Sequence, residues 1–300
     1  MIRKIHASFA LLALASLFIV SCEEEPPAIN FDVPVPSKDT SYMDNSVVAG
    51  DQPKNVLIED FTGVNCPNCP RAQTKAKEIY NANPGRIVVV AIHPGEPLFN
   101  DLCTPFNSPP HVSKYNFRTS YGKDILLLNG NALGLPAGAI NRKKFAGENS
   151  VTVINYANWP TYAGQELAAG SPVKLEFKTV SFDSVSRKLK VRVKLTYSQL
   201  VSDTNLLTIG LMEDSLIDVQ KDVFTYIDEY EHDHVLRRLI TPYTGEAISV
   251  TKPVGRVYER EYEVKLDNAW NFRKMEVYAL ISKNSDEIEV IQTVKAKIWP

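Results

Sequence analysis

Val56-Leu-Ile-Glu-Asp-Phe-Thr-Gly-Val-Asn-Cys-Pro-Asn-Cys-Pro70 is the stretch that decides the fold of the first half of this chain. Asn55 to Asp60 is short and mostly apolar, so it reads as a buried strand. Phe61 to Asn65 is a turn. Cys66 and Cys69 follow, and Arg71-Ala-Gln-Thr-Lys-Ala-Lys-Glu-Ile-Tyr80 then places Ala72, Ala76, Ile79 and Tyr80 on one face of a helix. Asn65 is a candidate cap, and Pro67 and Pro70 are tolerated in a first helical turn, where their missing N–H groups would lack intrahelical partners anyway. Asn83-Pro-Gly85 ends the helix, and Ile87 to Ile92 is a second buried strand. The order strand, CxxC, helix, strand is a βαβ unit with two cysteines at the helix N-terminus. Cysteines three apart can close a small disulfide there, and the helix end favours a thiolate on the first of them. Zinc would need a second CxxC or a Cys–His pair at finger spacing, and none follows. No metal and no cofactor is assigned.

With those residues in view, the segment from about 51 to 169 resembles a thioredoxin-like domain. Cys66-Pro-Asn-Cys69 matches the redox motif. Asp60, six residues before Cys66, matches the buried acid that assists proton transfer from the second cysteine. Gly134-Leu-Pro136, just before the strand-like Ala137-Gly-Ala-Ile-Asn141, matches the cis-proline loop beside the disulfide. The resemblance implies that Cys66 attacks, Cys69 resolves, Asp60 moves protons and Pro136 presents backbone to a partner. Asn65 stands where the family usually has tryptophan. Alternation points Glu59 to the opposite side of the sheet from Asp60. A long insertion, His93 to about Gly122, carries Cys103, read as a free and shielded thiol, and Val112 to Tyr121 is its expected helical part. His93 reads as structural. A helix near Trp159 to Ala169 closes the domain.

Outward toward the N-terminus, Arg3 and Lys4 precede an uncharged stretch from Ala7 to Val20, then Ser21 and Cys22. A basic end, a short apolar core and a small residue at the cut form a secretory signal over 1–21. The core is short of the ~20 apolar residues that span a bilayer. The cysteine after the cut resembles a bacterial lipobox, which implies acylation at Cys22 and a membrane as partner, each buried CH₂ adding about 0.8 kcal/mol. Glu23, Glu24, Glu25, Pro26 and Pro27 begin a polar stretch read as a lipidated tether over 22–50. The acidic run resembles a surface-export signal of Bacteroidetes lipoproteins.

Removing signal and tether leaves about 250 of the 300 residues, enough for two domains. The formal net charge is −2 with both signs interspersed, so no nucleic-acid partner is indicated. Of the 4 cysteines, Cys22 is assigned to lipid, leaving an odd number in an oxidising setting.

Beyond residue 170 the pattern changes to period two. Val173, Leu175 and Phe177 alternate with charged residues, as do Leu189, Val191, Val193 and Leu195, and Tyr258, Tyr262, Val264 and Leu266. Leu206–Met212, Met275–Ser282 and Ile288–Ile298 are further strands. This predicts an antiparallel, Ig-like β-sandwich over 170–300. The fold class is therefore α/β plus all-β. His232 and His234, at i and i+2, would share one face of a strand as a candidate metal pair.

Val56 to Pro70, Gly134 to Arg142 and His232-Asp-His-Val-Leu-Arg237 together resemble the Bacteroidetes outer-membrane lipoproteins named for a protein of about 28 kDa. That implies an outer-membrane location, periplasmic or surface-exposed, without fixing a biochemical role. Two functions stay open: thiol–disulfide exchange with exported proteins, or a non-catalytic surface-interaction (adhesin-type) lipoprotein whose Cys66–Cys69 bridge is structural.

Overall fold

The chain was analysed as a computed structural model that describes residues 36–249, 251–285 and 288–299. The signal segment and Cys22 lie outside the described residues. Strand β1 (Lys38–Met43) comes first, then β2 (Val56–Phe61), α1 (Cys69–Ala82), β3 (Ile87–Ile92), α2 (Ser120–Leu128), β4 (Ala137–Ile140) and α3 (Trp159–Ala168). The second half adds β5 (Val173–Asp183), β6 (Lys188–Tyr197), β7 (Asn205–Glu213), β8 (Leu216–Asp222), β9 (Thr225–His232), β10 (Val235–Leu239), β11 (Arg256–Lys265), β12 (Met275–Lys283) and β13 (Val290–Lys297).

β2 and β3 are parallel, in register from Val56↔Ile87 to Phe61↔Ile92, and β4 lies antiparallel on the other side of β2. A parallel pair needs a crossover, and α1 supplies it. Ala72, Ala76 and Ile79 of α1 pack with Val56, Ile58, Val89 and Trp159 on one face of this sheet. Ile125 and Leu126 of α2 pack with Leu57, Phe61, Val88 and Val90 on the other. Asn100–Cys103 forms a single helical turn within the insertion, and the helix expected over 112–121 forms instead as Ser120–Leu128, where Thr119 caps it: its Oγ1 accepts from Gly122 N–H at 3.1 Å.

The alternating strands of the second half form the expected β-rich layers. β1, β11, β6 and β5 make a four-stranded sheet in that order. Leu189, Val191, Val193 and Leu195 are fully buried and pack with Leu207, Ile209, Val277 and Ala279 of the facing sheet. Strand β1 lies within the stretch read as tether. All six of its residues are exposed, and its pairing with β11 runs from Lys38↔Glu261 to Met43↔Arg256. An edge strand exposed on both faces carries no period-two signal, which hides it in sequence.

The strands are not divided at residue 170. An eight-stranded sheet runs β13–β12–β7–β10–β3–β2–β4, with Glu246–Ile248 also paired to β7. The junction is β10 against β3, parallel at Val235↔Ala91, with the Ala91 N–H bonded to the His234 carbonyl at 2.8 Å. One core cluster joins Leu57, Val88 and Ile92 to Met212, Leu236, Tyr278 and Val290, and the described residues belong to one compact unit. A fragment beginning at residue 171 would expose the second set of these side chains and a sheet edge. It is expected to aggregate or to lose its cooperative thermal transition. A monomeric, cooperatively melting fragment, by size exclusion and circular dichroism, would show that the junction contributes little.

Candidate functional site

The site forms where β2 runs into α1. Cys66 and Cys69 are disulfide-bonded, with the Cα atoms 5.4 Å apart. The helix begins at Cys69 with Asn68 as its N-cap residue, so Cys66 lies in the preceding turn. Asn65 does not cap the helix; its Nδ2 donates to the Thr104 carbonyl at 2.8 Å and its N–H to the Leu102 carbonyl at 2.9 Å. Gly63 allows that approach, since a Cβ there would meet the Leu102 oxygen at 2.3 Å. The insertion is thereby laid against the turn that carries Cys66.

Asp60 is 1% exposed and its Oδ1 has no hydrogen-bond partner. Burial pushes its carboxyl up from 3.8 to about 7. It lines a cavity of about 260 Å³ with Gln73, Thr74 and Lys77 of α1 and Tyr230, Asp233 and His234 of the second half. The Tyr230 hydroxyl donates to Gln73 Oε1 at 2.5 Å, and burial and then the Asp60 charge push that phenol up. Glu59 points to the opposite side, as alternation requires, and is held by Arg142.

The bond between Leu135 and Pro136 is cis. Pro136 is buried and directly precedes Ala137, which pairs with Phe61 at the end of β2. The start of β4 therefore lies beside the end of β2, from which the chain enters the turn that carries the two cysteines. Cys103 is buried, with Sγ donating to the Thr62 carbonyl at 3.4 Å, and burial pushes its thiol up to about 11. A thiol in that state is a poor nucleophile at neutral pH.

Cys66 and Cys69 are both 0% exposed. The cover comes from the second half. In the β8–β9 hairpin, Lys221 N–H bonds the Val64 carbonyl at 2.8 Å and Val223 N–H bonds the Pro67 carbonyl at 3.0 Å. Gln220 Nε2 donates to the carbonyls of Cys66 at 3.1 Å and Gly63 at 3.2 Å. No sequence motif marks this hairpin, whose Asp218 and Gln220 are buried polar residues.

His232 and His234 do not share a face. His232 ends β9 and is buried, while His234 sits in the link to β10 with φ 58°. His232 instead neighbours His93, ring centroids 6.4 Å apart, and burial holds His232 down at about 4. His234 Nδ1 lies 2.9 Å from Asp214 Oδ1. Among the described residues, Asp214, His234 and Glu276 bring candidate ligand atoms within 4.8 Å of one another. Lys295 Nζ, 2.6 Å from Glu276 Oε2, already supplies a cation there.

The family model of the outer membrane protein Omp28 matches residues 127–300, more than half of the chain. The chain belongs to the Omp28 outer membrane protein family. Omp28 membership places it at the outer membrane, and no helix among the described residues is long and apolar enough to cross a membrane. HBP35 of Porphyromonas gingivalis has a similar structure: TM-score 0.60, 16% identity, covering 83% of this chain and 76% of that one. At that identity the likeness shows the fold alone. A protein from Agrobacterium tumefaciens gives TM-score 0.48 at 10% identity, covering 82% of this chain and 95% of that one. A domain of the outer membrane lipoprotein Omp28 from Porphyromonas gingivalis gives 0.30 at 18%, covering 43% and 90%. No curated protein matches the sequence.

Proposed function

We propose that this Omp28-family lipoprotein, anchored through an acylated Cys22, exchanges disulfides with exported proteins through a thioredoxin-like half joined to an Ig-like β-rich half. The observation that carries the reading is Asp60. A buried carboxyl with an unpartnered oxygen and a raised pKa costs stability, and a purely structural bridge has no use for it. In the reduced form, the Cys66 thiolate attacks a partner disulfide and expels one partner sulfur as thiolate. Cys69 gives its proton to ionised Asp60 and attacks the Cys66 sulfur, releasing the second partner sulfur. The partner disulfide gains two electrons, the CxxC pair loses two, and the Cys66–Cys69 bond described above is the product. Asp60 then returns its proton through the adjoining cavity. Pro136, at the end of β4, presents backbone to the partner in this reading.

The complete burial of both sulfurs favours a second reading, a structural bridge in a non-catalytic surface-interaction lipoprotein. Redox titration of the purified chain separates the two. Exchange predicts a potential within the range of about −120 to −270 mV spanned by thioredoxin-like couples, whereas a structural bridge lies below about −300 mV. Cys69→Ser is expected to accumulate mixed disulfides with envelope proteins and Cys66→Ser to accumulate none. A potential below that limit together with no adducts would leave the structural bridge standing.

A further inference from the structure

The β8–β9 hairpin has two unlike halves. Its base is fixed to the insertion: the N–H groups of Lys114 and Tyr115 bond the two carboxyl oxygens of buried Asp218, both at 2.9 Å. The ladder then slips between Asp218 and Gln220, leaving Val219 as a bulge. Beyond the bulge, Gln220↔Ile227, Lys221↔Tyr226 and Asp222↔Thr225 form a short tip that lies on the redox turn. The tip is held on the CxxC side by two backbone bonds, the Gln220 side chain and Arg71 at 3.5 Å from Asp222, and on the insertion side by Tyr226, whose ring stacks on His111 at 4.1 Å and meets Phe106 at 5.4 Å. Phe224 at its apex is 99% exposed.

Lys221, in the strand, and Val223, in the turn with φ 23°, point their N–H groups at the carbonyls of Val64 and Pro67. An incoming polypeptide's own N–H groups can take the same carbonyls. We propose that Gln220–Val223 is a built-in occupant of the substrate groove, displaced by an extended polypeptide segment that carries the reacting sulfur. This rests on the exchange reading above. The displacing segment satisfies the Val64 and Pro67 carbonyls with its own N–H groups and uncovers Cys66. Val219 is the hinge, and the Asp218 anchor keeps the hairpin attached while its tip is away.

Two measurements on the full chain test this. The first is the rate at which dithiothreitol reduces Cys66–Cys69. Gln220→Ala removes two bonds to the turn, and Asp222→Arg places like charge beside Arg71 at a half-buried position. Each is expected to speed reduction about tenfold or less, and the pair by more. Hydrogen exchange should quicken at Lys221 and Val223 and stay unchanged in β2. Unchanged reduction rates, or acceleration at β2 by the same factor, would overturn the proposal.

The second measurement uses Cys69→Ser and the symmetrical disulfide of a short peptide with one central cysteine. Attack by the Cys66 thiolate forms a Cys66–peptide disulfide and releases one peptide thiolate. In that adduct Lys221 and Val223 should lose their exchange protection. An adduct in which they stay protected sinks the built-in-occupant idea and leaves exchange intact. Faster reduction of the opened variants with no adduct in any background leaves the hairpin as a shield on a structural bridge, and it is then the exchange reading that fails.

Discussion

At pH 8, Asp60→Asn is expected to stabilise the fold by roughly 2–4 kcal/mol, while at pH 4 the variant and the native chain should be nearly equal. The folded protein holds the Asp60 proton up to about pH 7, whereas the ordinary value is 3.8. Between those values the folded state binds more protons than the unfolded chain. The contribution of Asp60 is therefore fully favourable below about pH 4 and is lost as pH rises through 7. Full ionisation against burial corresponds to about 4 kcal/mol, an upper figure because an uncharged amide in the same place keeps an unpartnered polar atom. Urea denaturation at the two pH values measures the difference. With both cysteines intact, the same substitution should slow the resolution of mixed disulfides, because Cys69 would lose the proton acceptor proposed for it. Equal stability at pH 4 and pH 8 in both proteins would mean that Asp60 is ionised in the fold, and the proton-transfer role would go with it.

What the sequence reveals here follows from how local each signal is. Helix α1 is set by Pro67, Pro70 and the spacing of Ala72, Ala76 and Ile79, all within a few turns, and it forms as Cys69–Ala82. The alternation of Leu189 to Leu195 commits β6 to one buried face without knowledge of its partner. Asp60 is legible from its spacing to Cys66. The cover over the disulfide is not. Leu216-Ile-Asp-Val-Gln-Lys-Asp222 breaks period two at the Val219 bulge, and the carbonyl that Gln220 bonds at Cys66 is 154 residues away in sequence. Nothing local in Gln220 indicates that it is buried against the CxxC turn. The joining of the two halves is hidden for the same reason. Val235-Leu-Arg-Arg-Leu239 is five residues long and meets β3 at a single register pair, so its apolar pattern is too brief to announce a central strand. Exposed β1 shows the converse: a strand that buries nothing leaves no pattern.

Arg142→Met is expected to destabilise the fold by about 3–5 kcal/mol, the cost typical of leaving one member of a buried ion pair alone. Glu59 is 3% exposed and lies on the central strand β2. Its Oε2 accepts from Arg142 Nε at 3.0 Å, its Oε1 accepts from Arg142 Nη2 at 2.6 Å, and Asn129 Nδ2 donates to Oε2 at 3.1 Å. Arg142 reaches it from a turn in which Asn141 and Arg142 both have positive φ, 48° and 50°. That turn is held by Asn141, whose Oδ1 accepts from Leu57 N–H at 2.8 Å and whose Nδ2 donates to Glu166 Oε2 at 3.0 Å. Methionine keeps most of the volume and removes the charge, so the loss reports the stranded carboxylate and not a cavity. The double variant Glu59→Leu with Arg142→Met removes both charges and is expected to recover most of the stability. Because Asp60 is the next residue on the same strand but faces the other way, the double variant should leave the reduction rate of Cys66–Cys69 unchanged. If that rate moves with it, the two sides of β2 are coupled, and the burial of Asp60 depends on the pair behind it.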